Sequence, residues 1–290
     1  MIRIFVYFKN AQFNNECFSY KSDLFVKAAV LDQIILYPLK SARGIPLSRS
    51  EVEIRGLKFD RRWMLVDSNG QFLSQRRFPR LALIDVEIEP DELIFSAPHF
   101  GRISLPLETI SSQRISVQIW TDVCQGIPVS PEADSWFSKF LKIPCRLVYF
   151  PENSNRPIDP GYSINSYSLS FADGFPFLLI SWASLDDLNH RLESPLPMDR
   201  FRPNLVVEGC PPYAEDSWDK IRIGSVDFRV VKPCSRCVIT TIDQATAKGG
   251  VEPLKTLAQY RKQNGKILFG QNLIHENLGS IQIGDRVEII

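Results

Sequence analysis

Cys234 and Cys237, in the stretch KPCSRCVITTID, are the pair of residues whose type and spacing most directly offer chemistry. A C-x-x-C pair admits four readings: half of a zinc site, a redox dithiol, two buried thiols, or a thiolate that holds a softer metal. Tetrahedral zinc needs two further cysteine or imidazole ligands, commonly a second close pair. Here His99, His190 and His275 are isolated, and Cys17, Cys124, Cys145 and Cys210 stand singly. A thioredoxin-like dithiol needs its first cysteine at a helix N-terminus, whereas the β-branched run CVITTID predicts a strand beginning at or just after Cys237. Two buried structural thiols are the default for an arbitrary protein. Lys232 and Arg236 weigh against that default, because nearby cations favour thiolate over thiol, and a thiolate is a nucleophile and a soft-metal ligand.

Basic and small polar residues recur at separate points of the chain. MDRFRPNLVVEG places Arg200, Arg202 and Asn204 at alternating positions ahead of an apolar strand, so a strand geometry puts all three on one face. LKSARG contributes Lys40 and Ser41, and FDRRWMLVD contributes Arg61 and Arg62. Arginine forks match phosphate oxygens bidentately, and serine and asparagine complete such cradles. Arg62, Arg76, Arg77 and Arg80 are expected at the solvated surface, the usual place for arginine.

These residues need a scaffold, and composition allows a substantial one. The chain has 290 residues, 44% of them hydrophobic, enough for one large or two ordinary domains. Lysine and arginine number 34 against 33 acidic residues, so bulk charge gives no reason to bind nucleic acid or an anionic membrane. The longest apolar stretches, such as FPFLLISWASL, fall short of the roughly 20 residues of a membrane span. The N-terminus has neither a signal-peptide apolar core nor the acid-free character of a transit peptide, and a cytoplasmic protein with reduced thiols is expected. No G-x-G-x-x-G after a strand, Walker loop or G-x-S-x-G is present, which sets aside nucleotide-binding and α/β-hydrolase readings.

The pattern predicts a mainly β chain with a few covering helices, an α+β fold. Asn69-Gly70 marks a hairpin within WMLVDSNGQFLSQR, and LALIDVEIEPDELIFSA, GRISLPL and RISVQIW continue the strands. Helices are expected at SPEADSWFSKFL, capped by Ser130; at SLDDLNHRL, with Ser184 and Asp187 as a capping box; and at EPLKTLAQYRKQ, from Pro253 until Gly265. Residues 151 to 168 read as a long loop, a domain boundary or active-site flap. The implied division is an uncertain extension at 1–26, an N-terminal β-barrel-like domain at 27–150 and a second β-barrel domain at 151–290.

YPLKSARGIPL, DRRWMLVD, FRPNLVV, YAEDSWDKIRIG, KPCSRCVITTID and PLKTLAQYR with FGQNLI resemble, in this order, the family that joins an N-terminal MOSC β-barrel domain to a MOSC domain. The family includes the amidoxime-reducing component of mitochondria and the bacterial YcbX, and the resemblance runs from about residue 27 onward. It implies a molybdenum cofactor of the molybdopterin type, with chemistry independent of pyridoxal phosphate. Cys237 falls on the molybdenum ligand and catalytic position; Lys40, Ser41, Arg61, Arg202, Asn204 and Ser235 fall on positions that contact the pterin and its phosphate. Cys234 then belongs beside the ligand or in the core.

The activity so implied is reduction of N-hydroxylated compounds: amidoximes, hydroxylamines and N-hydroxylated bases. Asp243 is a candidate for proton delivery or a turn cap. Unlike the bacterial relative, the sequence carries no ferredoxin-type C-x₄-C-x₂-C motif, so no iron–sulfur cluster is expected here and electrons are expected from a separate haem, flavin or iron–sulfur carrier. The mitochondrial relative's membrane anchor is likewise not expected. Two alternatives remain beside the reductase: a sulfur carrier or transferase with a persulfide on Cys237, and a non-catalytic cofactor-binding module.

Overall fold

The structure, a computed structural model, describes residues 28–108, 111–162 and 167–290. The expected extension at residues 1–26 lies outside the described residues. Strands dominate, and three α-helices among the described residues, Pro131–Leu141, Trp182–Asn189 and Leu254–Tyr260, cover them, in agreement with the mainly β, α+β expectation.

The largest sheet does not respect the order of the sequence. Its spine is Val226–Ser235, Lys266–His275, Phe177–Ser181 and Leu205–Glu208, and the first strands among the described residues, Val30–Leu36 and Ile45–Leu47, complete one edge. Val30–Leu36 runs antiparallel to Leu205–Glu208 with Ile34 opposite Leu205. Leu31, Ile34 and Leu36 consequently share a core with Phe177, Leu205 and Phe228. Burial of a leucine or isoleucine side chain is worth about 2 kcal/mol, so this strand welds the start of the chain to its C-terminal half.

Residues between these strands form a second packing unit. Trp63–Val66, Arg146–Tyr149, Asp122–Pro128 and Ile115–Ile119 make a four-stranded sheet, and Asp85–Ile88, Glu92–Ala97 and Gly101–Pro106 a three-stranded meander. The helix Pro131–Leu141 buries Phe137 and Phe140 against Trp63, Phe95 and Leu147. It begins as predicted: the Ser130 hydroxyl accepts the Ala133 N–H at 3.0 Å, and Pro131 occupies the first turn. The predicted turn at Asn69-Gly70 also forms, and a Cβ at Gly70 would come within 2.6 Å of the Ser116 carbonyl. Its arms are joined by hydrogen bonds from the Asp67 N–H to the Gln71 carbonyl at 2.9 Å and from the Leu73 N–H to the Leu65 carbonyl at 2.8 Å, and Gln71 also bridges to Gln118.

Two helix expectations need correction. The second helix is capped by Ser181, whose hydroxyl accepts the Ser184 N–H at 3.1 Å, and not by a Ser184–Asp187 box. Both serine hydroxyls donate to the buried carboxylate of Glu215, a partner from a distant 3₁₀ turn that local spacing does not reveal. The third helix stops at Tyr260, short of Gly265. Asn264 and Gly265 both take positive φ, 49° and 77°, and turn Lys262–Gln263 back onto Lys266–His275 as a tight hairpin.

The described residues of the stretch 151 to 168 form a loop, as expected, but one staked to the body of the protein. Arg156 is buried and donates to the carbonyls of Ser170, Ala172 and Asp173 and to the carboxylate of Asp122. Among the described residues no helix is long and apolar enough to cross a membrane.

One buried carboxylate joins the packing units. Asp60, 1% exposed, accepts the Tyr37 backbone N–H at 3.0 Å, the Asn204 side-chain N–H at 3.2 Å and a short hydrogen bond from Arg61. Its own carbonyl accepts the Ser170 hydroxyl at 2.7 Å. Asp60→Asn removes the charge that neutralises Arg61 and is expected to destabilise the fold by about 3 kcal/mol, the usual cost of halving a buried ion pair. An unfolding free energy, from urea titration, that changes by less than a tenth of that loss rejects this role.

A second expectation concerns pH. His275 is fully buried, stacked on Tyr167 at 4.4 Å and edge-on to Phe177 at 5.6 Å. Burial pushes its imidazole down to about 4. Between pH about 6.5 and 4 the unfolded chain therefore binds a proton that the folded chain refuses, and stability falls as pH drops through that window. Urea unfolding of wild type should lose about 2 kcal/mol more than His275→Phe between pH 7 and pH 4.5; an equal loss in both proteins contradicts it.

Candidate functional site

Four of the motifs singled out from sequence, YPLKSARG, DRRW, FRPN and KPCSRC, meet at one cavity, whereas YAEDSWDKIRIG and PLKTLAQYR do not line it. YPLK and DRRW lie side by side, held by hydrogen bonds from the Arg61 N–H to the Tyr37 carbonyl and from the Lys40 N–H to the Trp63 carbonyl, each 2.8 Å. Asn204 locks to them: its side-chain oxygen accepts Arg61 at 2.9 Å and its side-chain nitrogen donates to the Ile35 carbonyl at 3.2 Å. The cysteine segment is fastened from two directions. Arg236 donates to Cys234 Sγ at 2.9 Å and to the Phe201 carbonyl, tying it to FRPN. Gln75, fully buried, donates to the Ser41 carbonyl at 2.7 Å and pairs its amide with that of Gln244 at 3.0 Å, tying the region beyond Cys237 to LKS.

The resulting cavity has a volume of about 420 Å³, and Lys40, Ser41, Arg61, Arg202, Asn204, Ser235 and Cys237 all line it. Three of these, Ser41, Arg61 and Arg202, hold positive φ of 71°, 48° and 56°, a region that non-glycine residues enter at a cost and that concentrates at functional sites. Six cationic side chains, Lys40, Arg61, Arg76, Arg202, Lys232 and Arg236, face one carboxylate, Asp173. Such a charge distribution selects an anion.

Burial strains this charge. Tyr37 is flanked by two guanidinium groups, with Arg202 4.3 Å and Arg61 4.6 Å from its ring centre. Desolvation pushes Arg202 down to about 10 despite Tyr37, and pushes the Tyr37 hydroxyl up to about 12 against the pull of both arginines. Lys40 is lowered by burial too, although its ammonium donates to Asp173 at 2.6 Å and to the Phe171 carbonyl at 2.8 Å. Arg202 donates no side-chain hydrogen bond among the described residues, while Arg76 Nη1 and Arg236 Nε are buried without partners. An anionic group in the cavity would answer all three.

Several expectations fail locally. CVITTID is not a strand: Val226–Ser235 ends before it, and Val238–Thr241 is a 3₁₀ turn preceded by Cys237. The Thr240 and Thr241 hydroxyls donate back to the carbonyls of Cys237 and Val238, at 2.9 and 2.8 Å, which satisfies the tighter turn and overrides β-propensity. Arg200 does not share a face with Arg202 and Asn204, since Met198–Arg200 is a 3₁₀ turn and period-two alternation does not apply. Instead it is buried and donates to the carbonyls of Thr240 and Thr241, at 3.0 and 2.9 Å. Arg62 is buried, not solvated, and binds the Tyr149 hydroxyl, the Phe150 carbonyl and Glu152. Arg76 lines the cavity, whereas Arg77 and Arg80 are exposed as expected. Asp243 caps its own turn, accepting the N–H and hydroxyl of Thr246 at 2.8 and 2.7 Å.

Sequence reasoning missed Asp60, Asp173 and Trp120. Asp60 stands inside a quoted motif, between Phe59 and Arg61, and a carboxylate beside an arginine of a candidate cradle was the available signal. Asp173 and Trp120 carry no local signal, because each reaches the cavity only through its tertiary neighbours.

Known proteins resemble the chain over most of its length. Residues 28–144 match the MOSC N-terminal beta barrel domain and residues 166–288 match the MOSC domain. Mitochondrial amidoxime-reducing component 1 of Homo sapiens is 36% identical over 286 residues, covering 92% of this chain and 85% of that protein. Mitochondrial amidoxime reducing component 2 of Homo sapiens is 37% identical over 274 residues, covering 87% and 81%. Component 1 of Danio rerio is 29% identical over 282 residues, covering 92% and 86%. The chain thus belongs to the family of MOSC proteins with an N-terminal MOSC β-barrel domain that includes the mitochondrial amidoxime-reducing components.

Proposed function

We propose that this chain is a molybdenum-cofactor-dependent reductase of N-hydroxylated compounds, among them amidoximes, hydroxylamines and N-hydroxylated bases, fed with electrons by a separate haem, flavin or iron–sulfur protein. One observation carries the reading: a single cavity brings the Cys237 thiol together with six cations and one carboxylate. A soft sulfur ligand suits molybdenum, and an electropositive cradle suits the phosphate of a pterin. We infer that the junction between the two domains lies near residue 150, between the matched ranges 28–144 and 166–288.

The residues fit the group. Cys237 would hold the metal, and Lys40, Ser41, Arg61, Arg202, Asn204 and Ser235 would hold the pterin and its phosphate. When bound, the cofactor supplies the redox step, in which two electrons and two protons convert N–OH to N–H and water. The chain's own contribution is placement and charge. Lys40 already spends two of its three donors on Asp173 and Phe171, which aims the ammonium and leaves one for a ligand. Arg61 engages Asp60 and Asn204 through Nη1, so the rest of its fork stays available in a fixed orientation. Arg202, held below its ordinary range by burial, would gain from an anion beside it.

Purified protein should contain stoichiometric molybdenum and pterin and should reduce benzamidoxime with a chemical reductant. Protein that binds the cofactor without turnover would instead be a binding module, and a persulfide on Cys237 without molybdenum would mark a sulfur carrier. Cys237→Ser is expected to abolish turnover and retention of redox-active molybdenum, while Cys234→Ser is much milder; equal activity of wild type and Cys237→Ser sinks the mechanism. Arg202→Ala is expected to weaken cofactor binding by about 2 kcal/mol, roughly thirtyfold, as for loss of a charged hydrogen bond. Unchanged cofactor occupancy on dilution and gel filtration counts against that placement.

A further inference from the structure

At the rim of the cavity the fold keeps an aromatic side chain where the backbone asks for glycine. Ile115–Ile119 and Asp122–Pro128 pair with Ile119 opposite Asp122, so Trp120 and Thr121 form a two-residue hairpin loop. Trp120 sits at its first position with φ 56°, the left-handed region that such loops normally fill with Gly, Asn or Asp. Nothing in the hairpin itself requires an indole there.

Five contacts fix it. The Gln118 side chain donates to the Trp120 carbonyl at 2.9 Å, and Arg156, bound to Asp122 at 2.8 Å, anchors the other side of the turn. The indole N–H donates to Asp173 at 3.0 Å, the same carboxylate oxygen that receives Lys40 at 2.6 Å. The Arg76 guanidinium lies 4.3 Å from the ring centre, and Phe72 packs edge-on at 4.8 Å. The indole is thereby oriented by the cationic cradle, yet it remains 42% exposed and lines the cavity. An exposed aromatic surface held rigidly at a cavity rim is suited to a flat partner, because stacking gains affinity without the entropy of ordering the platform.

We propose that Trp120 is a specificity-determining residue, a platform on which the planar ring of an aryl amidoxime or N-hydroxylated base stacks while its N–OH group reaches into the cavity. This rests on the reductase reading above. It divides the cavity by chemistry: the cations take the anionic cofactor, and the rim indole selects substrates with a π face. Arg76, the cation against that ring, is a positioning residue.

The test uses the cofactor-loaded full chain, with benzamidoxime and hydroxylamine as substrates that do and do not carry a ring. Trp120→Ala should raise the KM for benzamidoxime about fivefold, as expected for loss of one aromatic contact, and raise that for hydroxylamine less than twofold. Trp120→Phe, which keeps a ring face but loses the N–H to Asp173, should recover most of the difference. Molybdenum content should be the same in all three proteins. Equal KM changes for both substrates, or loss of molybdenum in Trp120→Ala, overturns the proposal and assigns the indole to the fold or the cofactor cradle. Calorimetric binding of benzamidoxime to the oxidised proteins separates the two readings. Tighter binding to wild type than to Trp120→Ala without turnover upholds the platform and sinks the reductase, and turnover without ring selectivity does the reverse.

Discussion

The Asp60 carboxylate is the constraint on which the site depends. A buried charge is tolerated only when paired and fully hydrogen-bonded, and Asp60 meets that condition with donors from three separate stretches of chain: Tyr37, Arg61 and Asn204. Desolvation raises its carboxyl above the ordinary range, against the pull of Arg61. Because each donor belongs to a different motif, satisfying the carboxylate and aligning YPLK, DRRW and RPN are one event. The strand Val30–Leu36, inserted between Leu205–Glu208 and the edge strand Ile45–Leu47, is what brings the first and last of these within reach.

The cavity built on this frame is electrostatically unfinished by the protein alone. Arg202, Lys40, Arg76 and Arg236 line one cavity in which Asp173 is the single carboxylate among the described lining residues, and two of their nitrogens are buried without partners among the described residues. Like charges in a low-dielectric pocket repel, and a fold retains such a cluster where a ligand offsets it. The positive φ values at Ser41, Arg61 and Arg202 tell the same story in backbone terms. Sites that store strain and unpaired charge are where local sequence rules are expected to break down.

That expectation is met by particular residues. Patterns that depend on neighbours in the chain were legible: the helix after Ser130, the Asn69-Gly70 turn and the mainly β character all follow from periodicity, capping and turn chemistry. Patterns that depend on distant partners were not. Ser184 was legible as a helix cap until Glu215 arrived from another turn, and CVITTID was legible as a strand until two threonine hydroxyls folded back on its carbonyls. Arg62 and Arg76, alike in sequence to surface arginines, are drawn inward by Tyr149 and Trp120.

The sequence by itself determined which chemical groups were available and in what order: the soft thiols of CSRC, the cations of KS, DR and RPN, and a strand-rich frame to carry them. Their residue types and motif order sufficed for the family resemblance, because motif identity is a local property. Only the tertiary structure decided which of those groups meet. It assembled Arg202 and Cys237 at one cavity, diverted Arg200 to backbone carbonyls, and brought in Asp60, Asp173 and Trp120. The reason is physical: hydrogen-bond satisfaction of buried charges is settled between segments far apart in the chain, and no local spacing encodes it.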